Sequence, residues 1–165
     1  MTTIRAHTYM FTIPSLGCRV AGARQTVLTV FARWGVPVRS ETGESIRLVA
    51  SELITNAVEH AGRVTPDIAI VLQERDDGTL RLGVRDRHPG RPRLRARTRA
   101  GLPTSGRGLA IVRAVLAEVG GRSRVERHQD GGKTVWAEIP PEATRAESDT
   151  DARIESRPTS CAAIA

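Results

Sequence analysis

SELITNAVEHAG, residues 51–62, is the stretch on which the reading of this chain turns. Leu53 and Ala57 continue a spacing of three and four residues set by Ile46, Val49 and Ala50, the stripe of an amphipathic helix packed on a core. Gly62 follows as a C-terminal stop. Glu52 and Asn56 are four apart, so they project from adjacent turns of one face, beside the apolar stripe rather than opposite it. A carboxylate next to a carboxamide suits a general base beside a Mg²⁺ ligand. The same pair also suits an ordinary solvated face. His60 lies on a nearby face, as a surface residue or a ligand. The segments around this helix must choose between these readings.

Working outward, residues 7–13 alternate as a short strand ended by Pro14, and residues 16–34 carry Val20, Ala23, Val27, Val30, Phe31 and Trp34 at helical spacing. Gly35 and Pro37 stop that helix, and the central helix starts near Ser40 or Thr42. Residues 67–74 and 79–84 read as strands joined by the Asp76-Asp77-Gly78 turn. After a long irregular stretch, residues 108–119 form a strongly apolar helix ended by Gly120-Gly121. Residues 123–127 and 134–139 make a second hairpin around Asp130-Gly131-Gly132. This order predicts an α+β fold, a two-layer α/β sandwich with a mixed sheet covered on one face by helices. It lacks the strict strand–helix alternation of a doubly wound fold.

Three further features bear on chemistry. Asp86 directly follows an apolar strand, where a carboxylate can accept a hydrogen bond from an exocyclic purine amine or serve as a turn acid. Gly106-Arg107-Gly108 opens the apolar helix. Glycines there let backbone N–H groups approach an anion, the helix N-terminus favours negative charge, and Arg107 is placed to reach a terminal phosphate. Gly132-Lys133-Thr134 imitates the end of a Walker loop, but Arg127 stands where that motif needs glycine and a strand follows. Lys133 is therefore read as a turn residue and Thr134 as a hydroxyl near the base pocket. A Gly-x-Ser-x-Gly elbow and a zinc-ligand cluster are both missing from the sequence.

Composition bounds the rest. With 165 residues, 39% hydrophobic and 3% aromatic, the chain suffices for one domain whose core is aliphatic. The net charge is +7, and seven arginines between Arg87 and Arg107, with no acid after Arg87, equal that excess. Such a loop is either solvated or phosphate-facing. Cys18 and Cys161 are far apart and read as free thiols. With no apolar run of membrane length and no leader pattern, a cytoplasmic protein is expected. Beyond Pro140-Pro141 the composition turns polar, so residues 1–140 are expected to be the domain, with 141–165 a disordered tail.

Taken together, SELITNAVEHAG (51–62), VRDRHPGRP (84–92), SGRGLAIVRAV (105–115) and GGKTVWAEIP (131–140) resemble the four boxes of the Bergerat-fold (GHKL) ATPases. Within that superfamily the chain is similar to the bacterial anti-sigma-factor serine/threonine kinases. The resemblance implies ATP and Mg²⁺ as cofactors, Glu52 as catalytic base and Asn56 as metal ligand. It implies Asp86 as the adenine-binding carboxylate, Thr134 as its helper through water, and Gly90, Gly106 and Gly108 as glycines of the nucleotide boxes. The arginine-rich segment, about 87–105, corresponds to a lid over ATP. His88 departs from the pattern by standing where the second box has its first glycine. The implied activity is phosphorylation of a STAS-type anti-anti-sigma protein, with a sigma factor as competing partner and a homodimer as the form. The sequence shows no helix bearing a phospho-accepting histidine, so a full histidine kinase is not expected. The alternative is a non-catalytic ATP-binding module that sequesters a sigma factor or other transcription regulator. Nucleic acid and membrane are not expected partners, since aromatic platforms for bases are lacking.

Overall fold

Along β2 (Asp67–Glu74), Ile68, Ile70 and Leu72 are fully buried while the residues between them are only partly so. That period of two places one face of the sheet on a core. The same face is continued by Ile13 of β1 (His7–Pro14), by Leu80, Leu82 and Val84 of β3 (Leu80–Asp86), and by Val135, Ala137 and Ile139 of β5 (Lys133–Ile139). A computed structural model describes residues 7–61, 65–87 and 107–141. The sheet order is β1-β2-β3-β5-β4, with β4 spanning Arg122–Arg127.

Among the described residues all four strand pairings are antiparallel, where the sequence led to the expectation of a mixed sheet; the two-layer α+β architecture is the expected one. The connections explain this. Two helices in succession, α1 (Val20–Arg33) and α2 (Glu41–Ala61), return the chain to the end where β1 finished, and Ser15 N–H donates to Pro66 O across that junction at 2.8 Å. A single helix, α3 (Arg107–Glu118), links β3 to β4 as a parallel crossover, but β5 then folds back into the gap between them.

The helices supply the second layer. Phe31 and Val27 of α1, Ile46, Val49, Ala50, Leu53, Ile54 and Ala57 of α2, and Leu109, Val112 and Leu116 of α3 form one apolar cluster with the inward strand residues. Truncating a side chain buried as fully as Ile54 costs about 2–5 kcal/mol. Ser40 caps α2, its Oγ accepting from Gly43 N–H at 3.1 Å, and Glu41 and Glu44 sit favourably in the first turn. No described helix is long and apolar enough to cross a membrane.

The other face of the sheet is covered by its own side chains. The Trp136 ring lies on Gly83, where a Cβ would come within 2.5 Å of it, and the Arg81 guanidinium stacks 4.0 Å from the ring centroid. Trp136 Nε1 donates to Glu126 at 2.8 Å. Glu138 is held between Arg81 at 3.1 Å and Arg122 at 2.6 Å. Burial alone would raise the Glu138 carboxyl, but the Arg122 hydrogen bond and the two guanidinium charges outweigh it and hold its pKa below the ordinary value.

Candidate nucleotide site

Glu52 and Asn56 lie on the α2 face that meets the start of α3, and both are half-buried there. The cause is Gly108. A Cβ on that residue would come 2.5 Å from Glu52 Oε2, 3.2 Å from Asn56 Nδ2 and 3.5 Å from Asn56 Oδ1. Only glycine lets the first turn of α3 approach both side chains this closely. The carboxylate, the carboxamide and a helix N-terminus with unpaired N–H groups therefore converge on one spot. The Asn56 Nδ2 atom is buried and has no hydrogen-bond partner among the described residues. A buried orphan donor of this kind is a place where a ligand's acceptor oxygen fits.

Asp86, the last residue of β3, continues the parity of Leu82 and Val84 and so sits on the helix-covered face. It is 5% exposed. Its segment is fixed from both sides. The next amide, Arg87 N–H, donates to the buried hydroxyl of Thr65 at 2.8 Å. Gly132 packs so closely that a Cβ there would lie 2.8 Å from the Asp86 carbonyl oxygen. The turn before β5 is pinned by Asp130, whose Oδ1 accepts from Gly132 N–H at 3.0 Å. That bond, with Arg85 alongside, keeps the Asp130 carboxyl below the usual carboxylate range.

Lys133 is not the turn residue expected from the sequence. It is the first residue of β5, lies directly across from Asp86 and is 8% exposed, with Nζ donating to Asp86 Oδ1 at 2.8 Å. The signal was present in the alternation: Val135, Ala137 and Ile139 face the core, and Lys133 shares their parity. Thr134, expected beside the base pocket, pairs instead with Arg85 and shares the Trp136 face. Its hydroxyl lies 2.7 Å from His128 Nε2. Strand alternation thus brings Lys133, and not Thr134, to Asp86. Thr65 has no sequence signature, because its role depends on a contact across 22 residues.

The expected site residues Gly90 and Gly106 lie outside the described residues, as do His88, the segment 88–106, the tail from 142, and Cys161. Arg107 opens α3, but its side chain and that of His60 are outside the description. Cys18 is a free, exposed thiol. Among the described residues no cluster of three or more His, Cys, Asp or Glu forms a metal site. A Mg²⁺ carried with nucleotide needs fewer protein ligands, because phosphate and water supply most of its oxygens. The hard oxygens of Glu52 and Asn56 beside the Gly108 cradle fit that requirement.

Comparison with known proteins agrees with this fold. Residues 13–139 match the histidine kinase-like ATPase domain family. The sensor histidine kinase component HK1 of Mycobacterium tuberculosis is 32% identical over 107 residues, covering 59% of this chain and 61% of that protein. The structure of the RsbU and RsbW domains of Rv1364c from Mycobacterium tuberculosis superposes with a TM-score of 0.58 at 20% identity, over 81% of this chain and 32% of that one. A histidine kinase domain from the blue-light activated kinase of Erythrobacter litoralis gives 0.50 at 26% identity, over 81% and 64%. The chain thus spans less than two thirds of each of these relatives. Its matched region holds every described element from the end of β1 to β5, and the chain belongs to the histidine kinase-like ATPase domain family.

Proposed function

We propose that this chain binds Mg·ATP between α2, α3 and the β3–β5 end of the sheet and acts as a serine/threonine protein kinase of the anti-sigma type, phosphorylating an anti-anti-sigma partner. The observation that carries the reading is the approach of Gly108 to Glu52 and Asn56. It joins a base, an oxygen ligand and an anion-binding helix end at one point, which is what phosphoryl transfer requires. Asp86 supplies the acceptor for the base amine. The sequence resemblance to anti-sigma kinases and the RsbW-domain fold neighbour support a partner's hydroxyl as acceptor. The two histidines with described side chains are already engaged, His7 with Glu74 and Trp34, and His128 with Thr134.

In this mechanism the partner's hydroxyl oxygen attacks the γ-phosphorus as the bridging bond to ADP breaks. Glu52 takes the hydroxyl proton. The Gly108 amide and the α3 N-terminus hold phosphate oxygens in line, and Asn56 Nδ2 donates to one of them. Mg²⁺, held through the Asn56 carboxamide oxygen, would neutralise phosphate charge.

The test is transfer of radiolabel from ATP to a candidate anti-anti-sigma protein, read after acid treatment. An acid-stable phosphoester on the partner, lost in Glu52→Ala while ATP affinity stays within about threefold, is the expected result. An acid-labile label would instead identify a histidine acceptor. ATP binding without any transfer would favour a module that only sequesters its partner.

A further inference from the structure

We propose that Lys133 is a second reader of the nucleotide base, donating from Nζ to a ring nitrogen beside the exocyclic amine that Asp86 accepts. The inference rests on the nucleotide reading above and adds a residue to it. A carboxylate alone presents only an acceptor. Here Asp86 Oδ1 and Lys133 Nζ lie 2.8 Å apart, on the helix-covered face, in one cross-strand register position. Together they present an acceptor and a donor side by side. The amine edge of adenine has the complementary pattern, an N6 donor flanked by the acceptors N1 and N7.

Residue choice points the same way. Of the chain's 25 basic residues, Lys133 is the only lysine. A guanidinium is a planar fork suited to gripping one carboxylate with two bonds. An ammonium carries three N–H donors on a compact centre, so it can hold a carboxylate and a second acceptor together. A buried ion pair is also a weak source of stability, since an apolar pair of similar volume does as well or better. A ligand that uses both partners gives the pair a reason to be retained. The carboxylate and the ammonium also neutralise one another, which suits an uncharged base edge better than a lone buried carboxylate.

The experiment compares Mg·ATP with its analogues lacking N1 or N7, 1-deaza-ATP and 7-deaza-ATP, by calorimetry on the wild-type chain and on Lys133→Met. In the wild type, one of the two analogues is expected to bind ten- to a hundredfold more weakly than ATP, roughly the range for a hydrogen bond from a charged donor. In Lys133→Met, ATP weakens and that analogue loses nothing further. With isotope-labelled lysine the chain gives one Cε resonance, which is expected to shift on adding ATP and to shift less with that analogue. Equal binding of ATP and both analogues by the wild type, within about twofold, overturns the proposal while leaving the nucleotide site intact. Failure of the wild type to bind ATP at all overturns the nucleotide reading and this proposal with it. The wild-type comparison stands even if Lys133→Met does not fold.

Discussion

Replacing Gly108 with alanine separates the chemistry of the site from the stability of the fold. The added Cβ would lie 2.5 Å from Glu52 Oε2, against about 3.4 Å for ordinary contact, an overlap of about 0.9 Å. The obstructing atom is the far end of a flexible side chain, so the carboxylate swings aside rather than the backbone moving. Holding it off its rotamer costs about 0.5–1.5 kcal/mol. Alanine in place of glycine within a helix returns up to about 1 kcal/mol. The net change in stability is then within about 1 kcal/mol, a shift in Tm of less than about 4 °C for a chain of this size. The site has no such compensation. The methyl group occupies the space a phosphate oxygen needs, removing a charge-assisted hydrogen bond of about 1.5–3 kcal/mol, so Kd for Mg·ATP should rise at least tenfold. A carboxylate displaced by roughly 1 Å should also lower the rate of phosphotransfer about a hundredfold. Thermal melting, calorimetry and label transfer on the one variant read all three quantities. A Gly108→Ala protein with unchanged Tm, Kd and transfer would refute the placement of the phosphates at this contact.

The remaining predictions concern the base pocket and the outer face of the sheet. Asp86→Asn should weaken Mg·ATP binding at least tenfold and also lower Tm, because a buried Lys133 ammonium left without its anion costs about 3–5 kcal/mol; unchanged affinity in a folded variant would sink the base assignment. Glu138 has a folded pKa below the ordinary 4.5, so its contribution to stability is fully present above that value and is lost as pH falls through the lower folded value. Melting curves of wild type and Glu138→Gln should therefore differ most near neutral pH and converge as pH falls through the lowered folded value; a difference that stays constant from neutral pH into acid would show that the carboxylate's charge is not what Arg81 and Arg122 hold.

The legible parts of this fold were those governed by local period. Residues 67–74 were read as a strand, and Ile46 to Ala57 announced the helix that carries Glu52 and Asn56. Strand direction was less legible, because it depends on how many helices intervene between paired strands and on β5 inserting between β3 and β4. At the base pocket, Lys133 was misread as a turn residue because Gly131-Gly132 invites the turn to be drawn one residue too long. A one-residue shift in a strand exchanges faces, and it exchanged Thr134 for Lys133 beside Asp86. The proximity of Gly108 to the α2 carboxylate was not legible, since it depends on the packing of two helices separated by 45 residues of chain between Ala61 and Arg107. Thr65 was not legible at all, for a threonine near a helix end has many ordinary uses.

The most direct test of the central claim is a calorimetric titration of Mg·ATP into the purified chain, with Gly108→Ala run beside it. Saturable binding of one nucleotide per chain is expected, weakened at least tenfold in the variant. No saturable heat up to about 1 mM ATP, the concentration that corresponds to only about 4 kcal/mol of binding, would contradict a nucleotide site built on Glu52, Asn56, Asp86 and Gly108.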